Sequence, residues 1–254
     1  MDRPEATDAP FNREGTGPAA PMPHDYDADP GRFLASADVP TEDVHPGVAA
    51  RLASAGARTV IDVGGGNGKL ARLLPALSVR CLLIDLSPAM LALAPRPAVR
   101  ADGSFLPVAD ASADGVAALY TLYHYDDPRW PIAEARRVLR PGGLFVCCAP
   151  NRDSNPELAQ VVPDWGRGSP FDGEDAAAIV GSVFAAPGDL VEVERWDGPF
   201  VRLSAPAEAA SFLRVHGMSE GAARRAAATL NLPLVLTMRG CLVYATKAPE
   251  RARG

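Results

Sequence analysis

Lysine is nearly absent from this chain: Lys69 and Lys247 are the only two, so the basic charge is almost all arginine. Basic residues are also outnumbered, 25 against 31 acidic ones, for a formal charge of −6. A protein that lives on phosphate backbones needs a basic face. The arginine pairs Arg136–Arg137 and Arg224–Arg225 have no interleaved aromatic residues on which bases could stack, so they read as solvated helix faces. No nucleic-acid partner is expected. Cysteine is scarce as well: Cys81, Cys147, Cys148 and Cys241 show no C-x-x-C spacing, and the adjacent Cys147 and Cys148 would point to opposite faces of a strand. Buried free thiols are expected, with no metal site and no disulfide framework, which fits a reducing cytoplasm. No stretch approaches the roughly 18 apolar residues of a membrane span, and the N-terminus has no apolar core of a secretory signal. The expectation is a cytoplasmic protein without a membrane partner. What remains is an ordinary soluble composition, 47% hydrophobic and 22% charged, over 254 residues.

Residues 1–30 are punctuated by Pro4, Pro10, Pro18, Pro21, Pro23 and Pro30 among acids. Such a stretch buries too little surface to offset its ordering entropy and is expected to be disordered, with Met22 an alternative start. Residues 31–57 are expected to form a flap or helix, in which Phe33 and Leu34 follow Tyr26 over the domain. From residue 58 to 150 the texture alternates. Thr59–Val63 reads as a strand, then glycines, then a helix over Lys69–Leu77. Arg80–Asp85 is a second strand, after which Ser87 caps a helix with Pro88 in first position. Val99–Ala101 and Asp114–Leu119 are further strands. Asp127–Pro128 opens a helix to Leu139, and Pro141-Gly142-Gly143 precedes a strand over Leu144–Ala149. This order predicts an α/β fold with a doubly wound, mostly parallel sheet. Residues 151–254 are expected to complete the same domain. They hold an insertion over Asn151–Pro170, a helix from Asp172 with Ile179, Val180, Val183 and Phe184 on one stripe, a strand over Leu190–Trp196, helices over Ser204–Val215 and Glu220–Leu230, and a last strand over Gly240–Thr246. The stretch Phe200–Leu232 is too short to be a domain of its own. Its helices, without a sheet partner of their own, are expected to form a small lid over the carboxyl edge of the sheet.

The informative segment is Val60-Ile61-Asp62-Val63-Gly64-Gly65-Gly66-Asn67-Gly68. Glycines let the backbone turn sharply at a strand end and let a ligand approach without a Cβ in the way, and the next helix offers it N-terminal amides. Asp85, ending the second strand, can accept both hydroxyls of a ribose and would repel a 2′-phosphate. Taken alone these features are ambiguous, because Gly66, Gly68 and Ala71 also fit a dinucleotide pattern, G-x-G-x-x-A. Two further acids separate the readings. Asp62 would face a cationic amino-acid group rather than a pyrophosphate, and Asp102 can accept a hydrogen bond from an adenine amino group. A ligand with adenosine at one end and an α-ammonium carboxylate at the other satisfies all three acids. That ligand is S-adenosylmethionine (SAM) or its demethylated product, S-adenosylhomocysteine.

On these residues the sequence resembles the class I SAM-dependent methyltransferases, in particular the broad branch that includes ubiquinone/menaquinone-type C-methyltransferases. The resemblance runs from about Thr59 to Pro150. It rests on Asp62, Gly64, Gly66 and Gly68; on Ile84-Asp85-Leu86-Ser87-Pro88-Ala89-Met90-Leu91; on Ala101-Asp102-Gly103 with Leu106-Pro107; and on Val138-Leu139-Arg140-Pro141-Gly142-Gly143-Leu144. It implies a Rossmann-like fold with a C-terminal antiparallel strand. It also implies that Asp85 holds the ribose, that Leu86 and Met90 flank the adenine, that Asp102 and Gly103 meet its edge, and that Tyr120 contacts the methionine moiety. His124 matches a histidine-rich stretch of that branch and is the candidate general base, with Tyr123 beside it as a second catalytic candidate.

Ligands of open α/β sheets bind beyond the carboxyl ends of the strands, so the loop Tyr120–Asp127 should face the acceptor. Tyr26, Tyr125, Trp165 and Phe212 are candidate acceptor contacts, with Phe200 and Met218 also lining the lid. His45, before Pro46, reads as structural, and His216, before Gly217, as a helix cap. The sulfonium is already an activated donor, so alignment alone can supply much of the acceleration. The acidic balance favours a small-molecule acceptor. Non-methylating SAM chemistry, such as intramolecular alkyl transfer, cyclisation or rearrangement, and an NAD-dependent oxidoreductase remain alternatives. The acceptor atom and the oligomeric state are not legible.

Overall fold

The computed structural model describes residues 26–27, 43–159, 161, 171–216 and 218–249. The expected disorder over residues 1–30 (Tyr26 and Asp27 aside), the flap residues Phe33 and Leu34, and Trp165 lie outside the described residues. Helix α1 spans His45–Ser54, with Val48, Ala49 and Leu52 turned inward. Strand β1 is Thr59–Val63. Helix α2 covers Lys69–Leu73 and tightens into a 3₁₀ turn over Leu74–Leu77, where Pro75 has no N–H to continue the α ladder. Strand β2 is Arg80–Asp85. Helix α3 spans Pro88–Leu93, and Ser87 Oγ accepts the Met90 N–H at 3.2 Å, the cap-then-proline start read from the sequence. The chain continues through β3 (Ala98–Arg100), β4 (Ala113–Leu119), α4 (Arg129–Val138), β5 (Leu139–Pro150), α5 (Ala176–Val183), β6 (Leu190–Leu203), α6 (Pro206–Val215), α7 (Glu220–Ala227) and β7 (Leu234–Thr246).

The strands form one seven-stranded sheet in the order β3-β2-β1-β4-β5-β7-β6. The first five are parallel, and β7 runs antiparallel to both β5 and β6. This is the expected doubly wound, mostly parallel α/β sheet with a C-terminal antiparallel strand. Side chains alternate across it with the period of two that a pleated strand imposes. Val116, Ala118, Phe145 and Cys147 face the layer built by α4 and α5. Ala117, Leu119, Val146 and Cys148 face the layer of α1 and α2. Cys147 and Cys148 therefore point to opposite faces, and all four cysteines are free thiols.

The C-terminal third departs from the expectation. Strand β6 does not stop at Trp196 but runs to Leu203, and β7 starts at Leu234 rather than Gly240. Gly198 and Pro199 read as a break, yet they sit beside a register irregularity between Pro199 and Val201, where an edge strand tolerates proline. Because Gly240 pairs with Pro150 at the end of β5, residues Leu234–Arg239 carry a two-stranded arm past the carboxyl end of the parallel strands. Helices α6 and α7 pack on this arm around Val201, Leu203, Leu213 and Leu236, so they do have a sheet partner. Helix α5 starts at Ala176 rather than at Asp172, whose buried carboxylate instead accepts the Glu174 N–H and pairs with Arg152.

Candidate functional site

Strand β1 leads outward to β2 and β3, and β4 returns on its other side, so the winding reverses between β1 and β4. The crevice beyond the carboxyl ends of those strands is where such sheets take ligands. Three carboxylates follow one another along this edge: Asp62 near the end of β1, Asp85 at the end of β2, and Asp102 just past β3.

Asp62 is 2% exposed, and its Oδ2 has no hydrogen-bond partner among the described residues. Burial first, and then the charge of Asp85, push its carboxyl up to about 7. A buried acceptor without a donor is costly, and a ligand ammonium group would remove that cost. The glycine turn lies directly above. Gly64, Gly66 and Gly68 have φ of +63°, +55° and +86°, a region that side chains resist. A Cβ on Gly64 would stand 2.0 Å from Thr121 Oγ1, whereas one on Gly66 would meet nothing within 4 Å. The turn is thus packed tightly against β4 at one end and open at its middle.

Asp85 joins that turn to the start of α3. Its Oδ2 accepts the Gly66 N–H and its Oδ1 the Ser87 N–H, both at 2.8 Å. Burial raises its pKa, the two N–H groups oppose the rise, and Asp27 adds to it. An ionised carboxylate has about four acceptor sites, so two such bonds leave capacity for ribose hydroxyls. Asp102 Oδ1 accepts the Ser104 N–H at 2.8 Å. Of the two residues expected beside the adenine, Leu86 is 60% exposed and offers open apolar surface, whereas Met90 is 2% exposed and fills the core. These residues fit SAM: an unpartnered buried oxygen for the ammonium, an open glycine turn, and two further acids for ribose and adenine.

The aromatic candidates separate onto two sides. Tyr120, at φ +54°, turns toward α1; its ring lies 6.4 Å from that of His45, and its hydroxyl hydrogen-bonds the Cys148 thiol. Tyr123 and His124 lie on a 3₁₀ turn over Leu122–His124, their rings 4.5 Å apart. His124 Nε2 hydrogen-bonds the Tyr26 hydroxyl at 3.2 Å, and burial pushes the imidazole down to about 4. Asp27 Oδ1 accepts the Ser87 hydroxyl at 2.6 Å and the Ala89 N–H at 3.1 Å. The dipeptide Tyr26–Asp27 therefore reaches from the turn after β4 to the start of α3.

Two further candidate acceptor contacts lie apart from these aromatics. Tyr125 reaches back to the Asp102 loop: a Cβ on Gly103 would lie 2.4 Å from its hydroxyl, and burial followed by the charge of Asp102 pushes the phenol up to about 12. It stands among the cofactor acids rather than on a separate acceptor wall. Phe212 is packed in the core of the α6–α7 arm, its ring 4.3 Å from that of His216. His216 closes α6 with Nδ1 2.8 Å from the Phe212 carbonyl, the capping position read for it. The sequence reading passed over Asp27, Thr121 and the pairing of Asp43 with His45. Only an acid two residues before a histidine at a helix start signals the last of these.

Residues 61–147 match a family model described as a methyltransferase domain. The malonyl-[acyl-carrier protein] O-methyltransferase of Hahella chejuensis is 44% identical over 97 residues, 35% of this chain and 35% of that protein. The ubiquinone/menaquinone biosynthesis C-methyltransferase UbiE of Acidiphilium cryptum is 35% identical over 102 residues, 35% of this chain and 41% of that protein. The chain thus spans less than half the length of either relative. The crystal structure of the [4+2]-cyclase SpnF superposes with a TM-score of 0.61 at 16% identity, covering 92% of this chain and 98% of that one, a likeness of fold alone. Over residues 61–147 the chain thus carries a likeness to a methyltransferase domain.

Proposed function

We propose that this protein transfers the methyl group of SAM to a small-molecule acceptor. The observation that carries the proposal is Asp62: a buried carboxylate with an unpartnered oxygen, under an open glycine turn and in line with Asp85 and Asp102. SAM supplies, when bound, a methyl group already activated by a sulfonium. The chain's own part is to bind and orient. Asp62 takes the ammonium, Asp85 the ribose, Asp102 with Gly103 the adenine edge, and Leu86 a face of the ring. Tyr26, His124, Tyr123 and Thr121 stand at the carboxyl end of β4, where the acceptor would meet the methyl. His124 is neutral at pH 7, since burial holds it near 4, so it suits positioning the acceptor better than taking its proton.

A small acceptor is favoured by the formal charge of −6 and by the arm of α6 and α7, which stands past the carboxyl edge as a lid would. Non-methylating chemistry stays the second reading, because the same fold supports a [4+2]-cyclase and fold does not fix reaction. The test is to incubate the protein with methyl-labelled SAM and extracts of the parent organism, then separate small molecules from macromolecules. Label in a low-mass product supports the proposal. Label in RNA or protein contradicts the acceptor class, and consumption of an extract metabolite with no label transferred favours the second reading.

A further inference from the structure

We propose that Asp43 and His45 form a general-base dyad for the acceptor, with His45 Nε2 as the atom that takes the proton. The inference rests on the methyl-transfer reading above. His45 is the first residue of α1, and Asp43 Oδ1 is hydrogen-bonded to its backbone N–H, at 3.0 Å, and to its ring Nδ1. An ionised carboxylate only accepts, so Nδ1 must carry the hydrogen and Nε2 the lone pair. This is the orientation that makes an imidazole a base.

The docking of α1 brings that ring to the right edge of the sheet. Val48, Ala49 and Leu52 anchor the helix against β1, β4 and β5, and the His45 ring comes within 6.4 Å of that of Tyr120 at the end of β4. Thr121, the next residue, packs on Gly64, and Lys69 follows the glycine turn closely enough to act on both members of the dyad. The dyad therefore stands beside Tyr120 at the carboxyl end of β4, one residue from the Thr121 that faces the acceptor. The titratable groups that bear on it are Asp43, Lys69 and Tyr120. Burial pulls the imidazole down, Asp43 pushes it back up, and Lys69 opposes that push. The side chain keeps 13% exposure, enough to meet a ligand. His124, by contrast, has its Nε2 engaged by Tyr26. In the step itself the acceptor's X–H proton passes to Nε2, its freed electron pair forms the bond to the methyl carbon, and the carbon–sulfur pair returns to sulfur as a neutral thioether.

The test reads the histidine directly and needs no acceptor. Protein with ¹⁵N-labelled histidine is titrated by NMR in three states: alone, with SAM and with S-adenosylhomocysteine. His24, His45, His124 and His216 are assigned through single His→Gln variants. Expected in the free protein is the Nδ1-protonated tautomer at His45, lost in Asp43→Asn. SAM carries a sulfonium charge that S-adenosylhomocysteine lacks, so SAM should weaken the proton affinity of His45 at least about threefold more than S-adenosylhomocysteine does. Equal effects of the two bound ligands, or an Nε2-protonated His45 in the free protein, would overturn the dyad. Failure of both ligands to bind would overturn the cofactor reading beneath it.

Discussion

A carboxylate held at 2% exposure with one oxygen unpartnered among the described residues is favoured in its neutral form, and Asp62 accordingly titrates near 7 instead of its ordinary 3.8. The sign of the consequence follows from linkage. Below about pH 3 the side chain is protonated in both folded and unfolded chains and costs nothing. As pH rises toward 7 the unfolded chain ionises first, so the ligand-free fold loses stability across that window and then levels off. Asp62→Asn should flatten this loss, which thermal melts of the ligand-free protein between pH 4 and 8 would show. A melting profile identical to that of the parent protein would mean that burial does not raise the Asp62 carboxyl. An ammonium-bearing ligand restores the charged form, so SAM should bind more tightly at pH 8 than at pH 5.5, a difference absent from Asp62→Asn.

At the scale of single elements, the start of α3 depends on one side chain. Ser87 caps the helix through Met90, donates to Asp27, and offers its own N–H to Asp85. Ser87→Ala should cost about 1 kcal/mol of stability, the usual worth of an N-cap. It should also raise hydrogen exchange at Ala89 and Met90, while a Ser87→Thr variant should largely restore both. The arm gives a second expectation. Leu236 is fully buried between α6 and α7, and Leu236→Ala should loosen that helix pair by about 2–4 kcal/mol. Exchange protection should fall over Pro206–Ala227 while SAM affinity stays within error, because the three acids lie on β1, β2 and the loop after β3. Loss of affinity in step with protection would mean that the arm shapes the cofactor site itself.

Strands β1 and β2 were legible in the sequence to the residue because glycines and the Ser87-Pro88 start punctuate their ends. The extensions of β6 and β7 were not, since Gly198, Pro199 and Pro233 look like breaks until a partner strand is laid beside them. Asp62, Asp85 and Asp102 were legible as a set because chain order alone puts strand ends on one edge. Which aromatic side chain meets which acid was not, because Tyr120 and Tyr125, five residues apart, leave the same strand end in different directions. His45 faces Tyr120 only because α1 packs on that face, a tertiary fact without local signature.

For the whole molecule, one sheet presents its parallel carboxyl ends to a crevice bounded by the Tyr26–Asp27 dipeptide and the turn after β4. Among the described residues no helix is long and apolar enough to cross a membrane. This crevice suits a ligand with an adenosine at one end and an amino-acid group at the other. Titration calorimetry of the purified chain with SAM, S-adenosylhomocysteine and NAD, repeated on Asp85→Ala, tests it most directly. Micromolar binding of the two sulfur compounds, far weaker binding of NAD, and a loss of about 1–3 kcal/mol for the variant are expected. Tight binding of NAD with no response to SAM would contradict it.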